Sequence, residues 1–304
     1  MSHRWLVFAL VFLWKVALLL FSAQPVPAND SFFYDGAVVN YLLNGHYVNP
    51  SLALAFPISG TEVFCAYPPI YQLVLLSWMF VFGTSAMSAM ALHLALFGGY
   101  MLILLAILKH LRTPVWCVHI AGAFLLALTF HDRPDSLAHV FGMLAVYAWI
   151  RSRRFLSHDG SAGRSSWPAL AAPGFVVLSL GTSLQIGGVY FLWVSIGVLA
   201  TTLAGKEKFP LAPMLAMVVV PIALIVFVAT LFPNLWAGFM EHARQTPSLT
   251  GWRWPTVAEA LKVARTVPGV IGVAGLLPWL WFQQRKDFES PVDVAHEFVL
   301  MVDY

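Results

Sequence analysis

Uninterrupted apolar runs recur along this chain, at approximately residues 4–23, 86–108, 115–130, 136–150, 168–184, 188–204, 210–232 and 268–282. A bilayer core near 30 Å thick takes about 20 residues to cross as a helix, at roughly 1.5 Å per residue. The runs are continuous rather than alternating, which excludes a transmembrane β-barrel. Charged residues make up 10% of the chain, against about 25% in soluble domains. The expected fold is therefore all-α, a polytopic transmembrane bundle of about eight spans. No repeat, low-complexity tract or flexible linker divides residues 1–304, so a single domain is expected. Cys65 and Cys117 have no metal-type spacing, and the topology below puts them on opposite sides of the membrane, so no disulfide follows. No feature of the sequence points to nucleic acid.

Basic residues orient the bundle. Lys109 and Arg112, then Arg151, Arg153, Arg154 and Arg164, then Lys206 and Lys208, then Arg285 and Lys286 all reach the cytoplasmic side together with Arg4 only if residues 70–82 do not cross. That segment is apolar but short, preceded by Pro68-Pro69 and followed by Gly83, and reads as a re-entrant or interfacial helix. Both termini then lie in the cytoplasm, with a first outer loop at 24–85, an outer acidic turn at 131–135, an outer loop at 233–267 and a cytoplasmic tail at 283–304. Residues 1–23 are read as a retained first helix rather than a cleaved signal peptide. Lys15 falls inside this first span and reads as a buried or snorkelling cation, with a ligand contact as the alternative. The spans at 115–130 and 136–150 are short, which sinks the turn His131-Asp132-Arg133-Pro134-Asp135 that joins them. Charges at such depth are costly and mark functional sites.

The most polar stretch is Asn29–Tyr71. It carries Asp30, Asp35 and Glu62 together with Tyr34, Tyr41, Tyr47, Tyr67 and Tyr71, and no Lys or Arg. The outer loop 233–267 holds cations on the side where they are normally rare, Arg244, Arg253, Lys262 and Arg265, with Glu241 and His242. Either an anionic partner at the outer face or an amphipathic surface helix accounts for them; Thr256–Thr266 has the spacing for the latter.

Three motifs in order carry a family resemblance: Asp30-Ser-Phe-Phe-Tyr34, then Leu42-Leu-Asn-Gly-His-Tyr47, then Tyr67-Pro-Pro-Ile-Tyr71 leading into the short apolar helix, with Arg133-Pro-Asp135 after the third span. Over residues 5–150 the chain resembles the GT-C class of polytopic glycosyltransferases, and within it family 39, which includes protein O-mannosyltransferases, lipid A aminoarabinose transferases and bacterial homologues. From residue 168 onward only the hydropathy pattern agrees. The resemblance implies inverting transfer of a sugar from a polyprenyl-phosphate donor to a lipid, glycan or protein acceptor, at the outer face of a bacterial inner membrane.

Such a displacement needs a carboxylate to deprotonate the acceptor hydroxyl and cations to stabilise the departing phosphate. Asp30 matches the loop aspartate of the family and is the expected base; the alternative role for Asp-Ser before an apolar run is a helix N-cap. Many relatives carry a second acid directly after it, where this chain has Ser31, so Asp35 or Glu62 is the expected replacement. Those carboxylates are of a type that holds Mg²⁺ or Mn²⁺, and metal use stays open. His131, Arg133, Asp135, Arg244 and Arg253 are the candidate substrate contacts, with Arg133 also able to pair with Asp132 or Asp135. Tyr34 and Tyr67 complete the candidate substrate set, although Tyr67-Pro68-Pro69 also suits the start of the re-entrant helix. His93, His119 and His139 read as isolated packing residues. Two other classes remain open: a non-catalytic lipid-binding or assembly partner with the same fold, and a transporter of the same lipid. Relatives continue beyond the equivalent of Tyr304, so a minimal member, a fragment or half of a split enzyme is expected.

Overall fold

The computed structural model describes residues 3–21, 31–50, 68–127, 134–158, 167–203, 211–231 and 233–250. Among these residues there are ten helices and no strand: α1 (His3–Phe21), α2 (Ser31–Asn44), α3 (Ile70–Phe82), α4 (Ala86–His110), α5 (Val115–Ala127), α6 (Asp135–His158), α7 (Trp167–Leu180), α8 (Leu184–Leu203), α9 (Leu211–Leu231) and α10 (Pro233–Thr250). Three of them have stretches long and apolar enough to cross a bilayer, Arg4–Phe21, Ala86–His110 and Met214–Leu231; Ile70–Phe82, Val115–Leu126, Ala171–Leu180 and Leu184–Ala200 are shorter apolar helices.

Proline and glycine punctuate the chain. Pro69, Pro114, Pro134 and Pro233 stand at or just before the starts of α3, α5, α6 and α10, where the missing N–H costs no helical hydrogen bond. Gly83 closes α3 with φ of +89°, its N–H donating to the Met79 carbonyl at 2.9 Å. Ser85 caps α4 by accepting from the Ser88 N–H at 3.1 Å. Arg112, at φ +50°, turns the chain sharply between α4 and α5. The turn is held by Thr113, whose N–H and hydroxyl both donate to the Leu108 carbonyl. Arg4 reaches across to donate to the Thr113 carbonyl at 2.7 Å, which fixes the first turn of α1 beside this connection.

At the centre, α6 packs on α7, α4 and α8. Small residues let these helices approach, as is usual where lipid supplies no hydrophobic drive between them. Gly142 of α6 receives the ring of Tyr190 from α8, and Gly197 of α8 lies against the indole of Trp149 from α6. Gly187 lets α8 run against the backbone of Leu180 at the α7–α8 turn. On one flank α1 packs on α4 and α5; on another α9 packs on α7 and carries α10. Most of α9 presents apolar side chains to the exterior, among them Val218, Val219, Ile222, Ile225, Val226 and Phe227. An apolar surface of that extent on a helix that can span a bilayer is a lipid-facing one.

Lys15 lies in α1 and is only 5% exposed. Its ammonium donates to the Leu126 carbonyl at 3.0 Å and lies 5.9 Å from the centre of the Phe97 ring. A cation at the carbonyl end of α5 complements the helix dipole, so the buried charge is held by the protein. α5 runs parallel to α1, from beside Arg4 at its start to beside Lys15 at Leu126.

Several expectations need correction. The turn expected between residues 184 and 188 lies at Gly181–Ser183, because Thr182 and Ser183 bond back to Leu178 and Ser179 and end α7 there. The span expected at 136–150 continues helically to His158, carrying its arginines on the same helix. The first outer loop contains a helix, α2, and the outer loop from 233 begins as one, α10. The expected span at 268–282 and the expected surface helix at Thr256–Thr266 lie outside the described residues.

Candidate functional site

The Leu42–Tyr47 motif encodes a helix end and a reversal. Gly45, at φ +75°, donates its N–H to the Tyr41 carbonyl and terminates α2. The chain then folds back along the helix: the Asn40 amide donates to the carbonyls of His46 and Val48 at 2.9 and 3.2 Å, and Tyr47 meets Tyr41 edge to face. Asn49, fully buried, comes to rest against Gly36, the one position of this turn without a side chain to obstruct it.

The Tyr-Pro-Pro-Ile-Tyr motif starts α3. Ile70 donates its N–H to the Gly181 carbonyl at 3.2 Å, so the first turn of α3 is seated on the α7–α8 turn. Tyr71 is buried, with Tyr34 of α2 against its ring at 6.3 Å and 84°. The Tyr71 hydroxyl and His93 Nε2 of α4 share a hydrogen bond of 3.0 Å. The same hydrophobic cluster takes in Leu137 of α6. Asp135 heads α6, where a carboxylate is favoured by the exposed N–H groups of the first turn. Its Oδ1 accepts from the Ser183 hydroxyl at 2.9 Å, while the Ser179 hydroxyl donates to the Ala138 carbonyl at 2.8 Å.

The first turns of α2, α3 and α6 therefore converge on one end of the bundle, around the turn Gly181–Ser183. Of the expected acids, Asp35 is half-buried on α2 next to the core residue Tyr34, and Asp135 is half-buried at the head of α6. Tyr34, an expected substrate contact, is itself 4% exposed and packs inside the cluster. Arg244 stands on α10, exposed, in a local ion pair with Glu241 at 3.2 Å. Asp30, Glu62, Tyr67, His131, Arg133 and Arg253 lie outside the described residues; Asp30 immediately precedes α2 and Arg133 lies two residues before α6. No group of three or more His, Cys, Asp or Glu side chains comes together among the described residues, so the described donors do not form a cation cage.

The sequence reading passed over three features here. Ser183 and Ser179 tie α7 to α6, and Gly181-Thr182-Ser183 is visible in the sequence as a polar break in an apolar run. His93 and His139 are not isolated: besides the Tyr71 bond to His93, His139 Nδ1 lies 3.2 Å from the Tyr190 hydroxyl and has Tyr100 edge-on at 6.3 Å. His119 bonds to the Val115 carbonyl within its own helix turn. Gln72, next to Tyr71, is 4% exposed, and neither atom of its amide has a hydrogen-bond partner. Leaving such a group unpaired costs about 1–3 kcal/mol.

Beside this end, α7 and α9 separate around Pro173 and Gly174. The gap is an apolar cleft of about 480 Å³, lined also by Phe175, Leu178, Ala216 and Val220. Leu178 lies three residues before Gly181, so the cleft runs up to the level of the convergent turns.

Fold and surface together define an α-helical membrane protein. Compared with protein-family models, curated proteins and solved structures, the chain finds no match.

Proposed function

We propose that this chain transfers a sugar, with inversion, from a polyprenyl-phosphate donor to an acceptor at the outer face of a bacterial inner membrane. The observation that carries the reading is the sharing of one cluster by Tyr34, Tyr71 and Leu137, which sets the acidic first loop and the Pro134-Asp135 turn side by side. Supporting it is the open apolar cleft that ends beside them, suited to an isoprenoid tail.

In the proposed reaction the acceptor oxygen forms a bond to the sugar C1 as the bond from C1 to the phosphate oxygen breaks. A carboxylate, Asp30 with Asp35 or Glu62 beside it, takes the acceptor proton, and polyprenyl phosphate leaves with the bonding electrons. Arg133, with His131, balances the growing phosphate charge. Asp135, held by Ser183, orients that turn rather than the substrate. Eight spans place this end outside, with α3 packed in the outer half without crossing. Metal participation stays open, and no step is routed through an ion.

The full chain in lipid nanodiscs is incubated with a panel of polyprenyl-phosphate sugars, and release of polyprenyl phosphate is followed by mass spectrometry. The wild type consumes at least one donor, and Asp30→Asn and Arg133→Gln lose that activity while keeping the wild-type elution profile. Donor consumption at the wild-type rate by both variants, or by none of the proteins on any donor, overturns the proposal.

A further inference from the structure

We propose that α10 is an interfacial helix, lying in the headgroup layer with its apolar arc against the lipid. This rests on the membrane character of the fold and not on the transfer reaction. α9 ends at Leu231 with lipid-facing side chains around most of its surface, and α10 starts at Pro233, so the second helix begins where the first leaves the hydrocarbon.

The side chains of α10 divide by helical position. At about 100° per residue, Phe239, Trp236 and Met240 fall within one arc, Asn234 and Glu241 fall on the opposite one, and Arg244, one turn on from Met240, borders the apolar arc. In a helix that belonged to a soluble surface, the apolar arc would be covered by protein. Here Met240 is 45% exposed, Trp236 and Phe239 are half-exposed, and Gly238, on the polar side, is the buried position among them. Trp236 and Phe239 are stacked at 5.8 Å, which makes one wide aromatic plate of the kind that settles at a membrane boundary. Glu241 and Arg244 neutralise each other at 3.2 Å, with the arginine side chain 78% exposed at the border of the apolar arc, where its stem can carry the charge up to the headgroups. An arc of bulky apolar groups left uncovered, continuous with a spanning helix and backed by a neutralised charge pair, matches an in-plane membrane helix. The occupant of this face is the bilayer itself.

The test uses single cysteines in a full chain whose Cys65 and Cys117 have been replaced by serine, Trp236→Cys, Phe239→Cys and Met240→Cys against Asn234→Cys and Glu241→Cys, each carrying a nitroxide in lipid bilayers. Spin relaxation by oxygen, which concentrates in lipid, is compared with relaxation by a water-soluble nickel chelate. The expected result is a higher oxygen-to-nickel ratio at 236, 239 and 240 than at 234 and 241, following the helical period. Met240→Cys decides the matter if the aromatic substitutions disturb the fold, because that side chain is already exposed. Nickel access at 240 equal to that at 234 overturns the proposal by placing the helix in water; exclusion of both reagents at 240 overturns it by placing protein on that face.

Discussion

Gly197 offers a substitution whose effect on stability should reverse in sign with the residue that faces it. A methyl group at this position of α8 would sit 2.6 Å from Cη2 and 2.8 Å from Cζ2 of the Trp149 indole on α6. Carbon atoms pack best at about 3.5–4.0 Å, so the indole must retreat by roughly an ångström. Overpacking of this kind costs about 1–3 kcal/mol. Against it stands the gain of replacing a helical glycine by alanine, up to about 1 kcal/mol. Gly197→Ala should therefore destabilise the protein by about 1–2 kcal/mol. In a Trp149→Leu background the obstruction is gone and the same change should stabilise it by up to about 1 kcal/mol. Gly188→Ala, on the same helix with nothing within 4 Å of the new methyl, should stabilise in both backgrounds. Equilibrium unfolding with sodium dodecyl sulfate in mixed micelles, followed by near-ultraviolet circular dichroism, measures all these variants. Equal and same-signed effects of Gly197→Ala in the two backgrounds would refute the packing argument.

Four further outcomes follow from the structure. Gln72→Leu should raise stability in detergent by about 1–3 kcal/mol, by removing an unpaired buried amide; a destabilised variant would mean that the amide is paired. Lys15→Glu sets a carboxylate against the carbonyl end of α5 and should abolish the monodisperse peak in fluorescence-detected chromatography, whereas Lys15→Arg should retain it. Ser183→Ala removes the donor to Asp135 and should cost about 0.6 kcal/mol, at most about 1.7, as interhelical hydrogen bonds do in membranes; a double-mutant cycle with Asp135→Asn checks that the loss belongs to this pair. With Cys65 and Cys117 replaced by serine, cysteines placed at Thr84 and His46 should react with an impermeant maleimide added outside intact cells, and one at Arg112 only after permeabilisation; labelling of Thr84→Cys from the cytoplasmic side would show that α3 crosses.

The positions of the helices were legible because the signals are local. Apolar runs mark the spans, and Pro69, Pro114, Pro134, Gly45 and Gly83 mark boundaries through backbone restrictions that act wherever they occur. The turn at Gly181–Ser183 was displaced in the sequence reading because serine and threonine are tolerated inside membrane helices, so two hydroxyls did not break the run. α2 was hidden for the opposite reason: Asp35, Asn40 and Asn44 break the hydropathy pattern of a helix that packs only one side, against α3. The histidine partners could not be read at all. Tyr71 and His93 are brought together by the antiparallel packing of α3 on α4, and His139 and Tyr190 by the fit of a ring over Gly142. At the site, the juxtaposition of the first loop with the Pro134-Asp135 turn was foreseeable from the shortness of the neighbouring spans. The serine that holds Asp135 was not, since it comes from the Gly181–Ser183 turn, in the part of the chain beyond residue 168 where only the hydropathy pattern agrees.

The shortness of α5 has a consequence for the lipid around it. Its thirteen residues reach only about 20 Å, some 10 Å less than a typical hydrocarbon core. Trp116, Ile120, Phe124 and Leu126 are exposed along it, so one flank of this short helix is in contact with lipid. At a fraction of a kcal/mol for each ångström of mismatch, a stiff bilayer left undistorted there would cost a few kcal/mol. The cheaper response is for the leaflet to thin, drawing its phosphate plane down toward the end of α5.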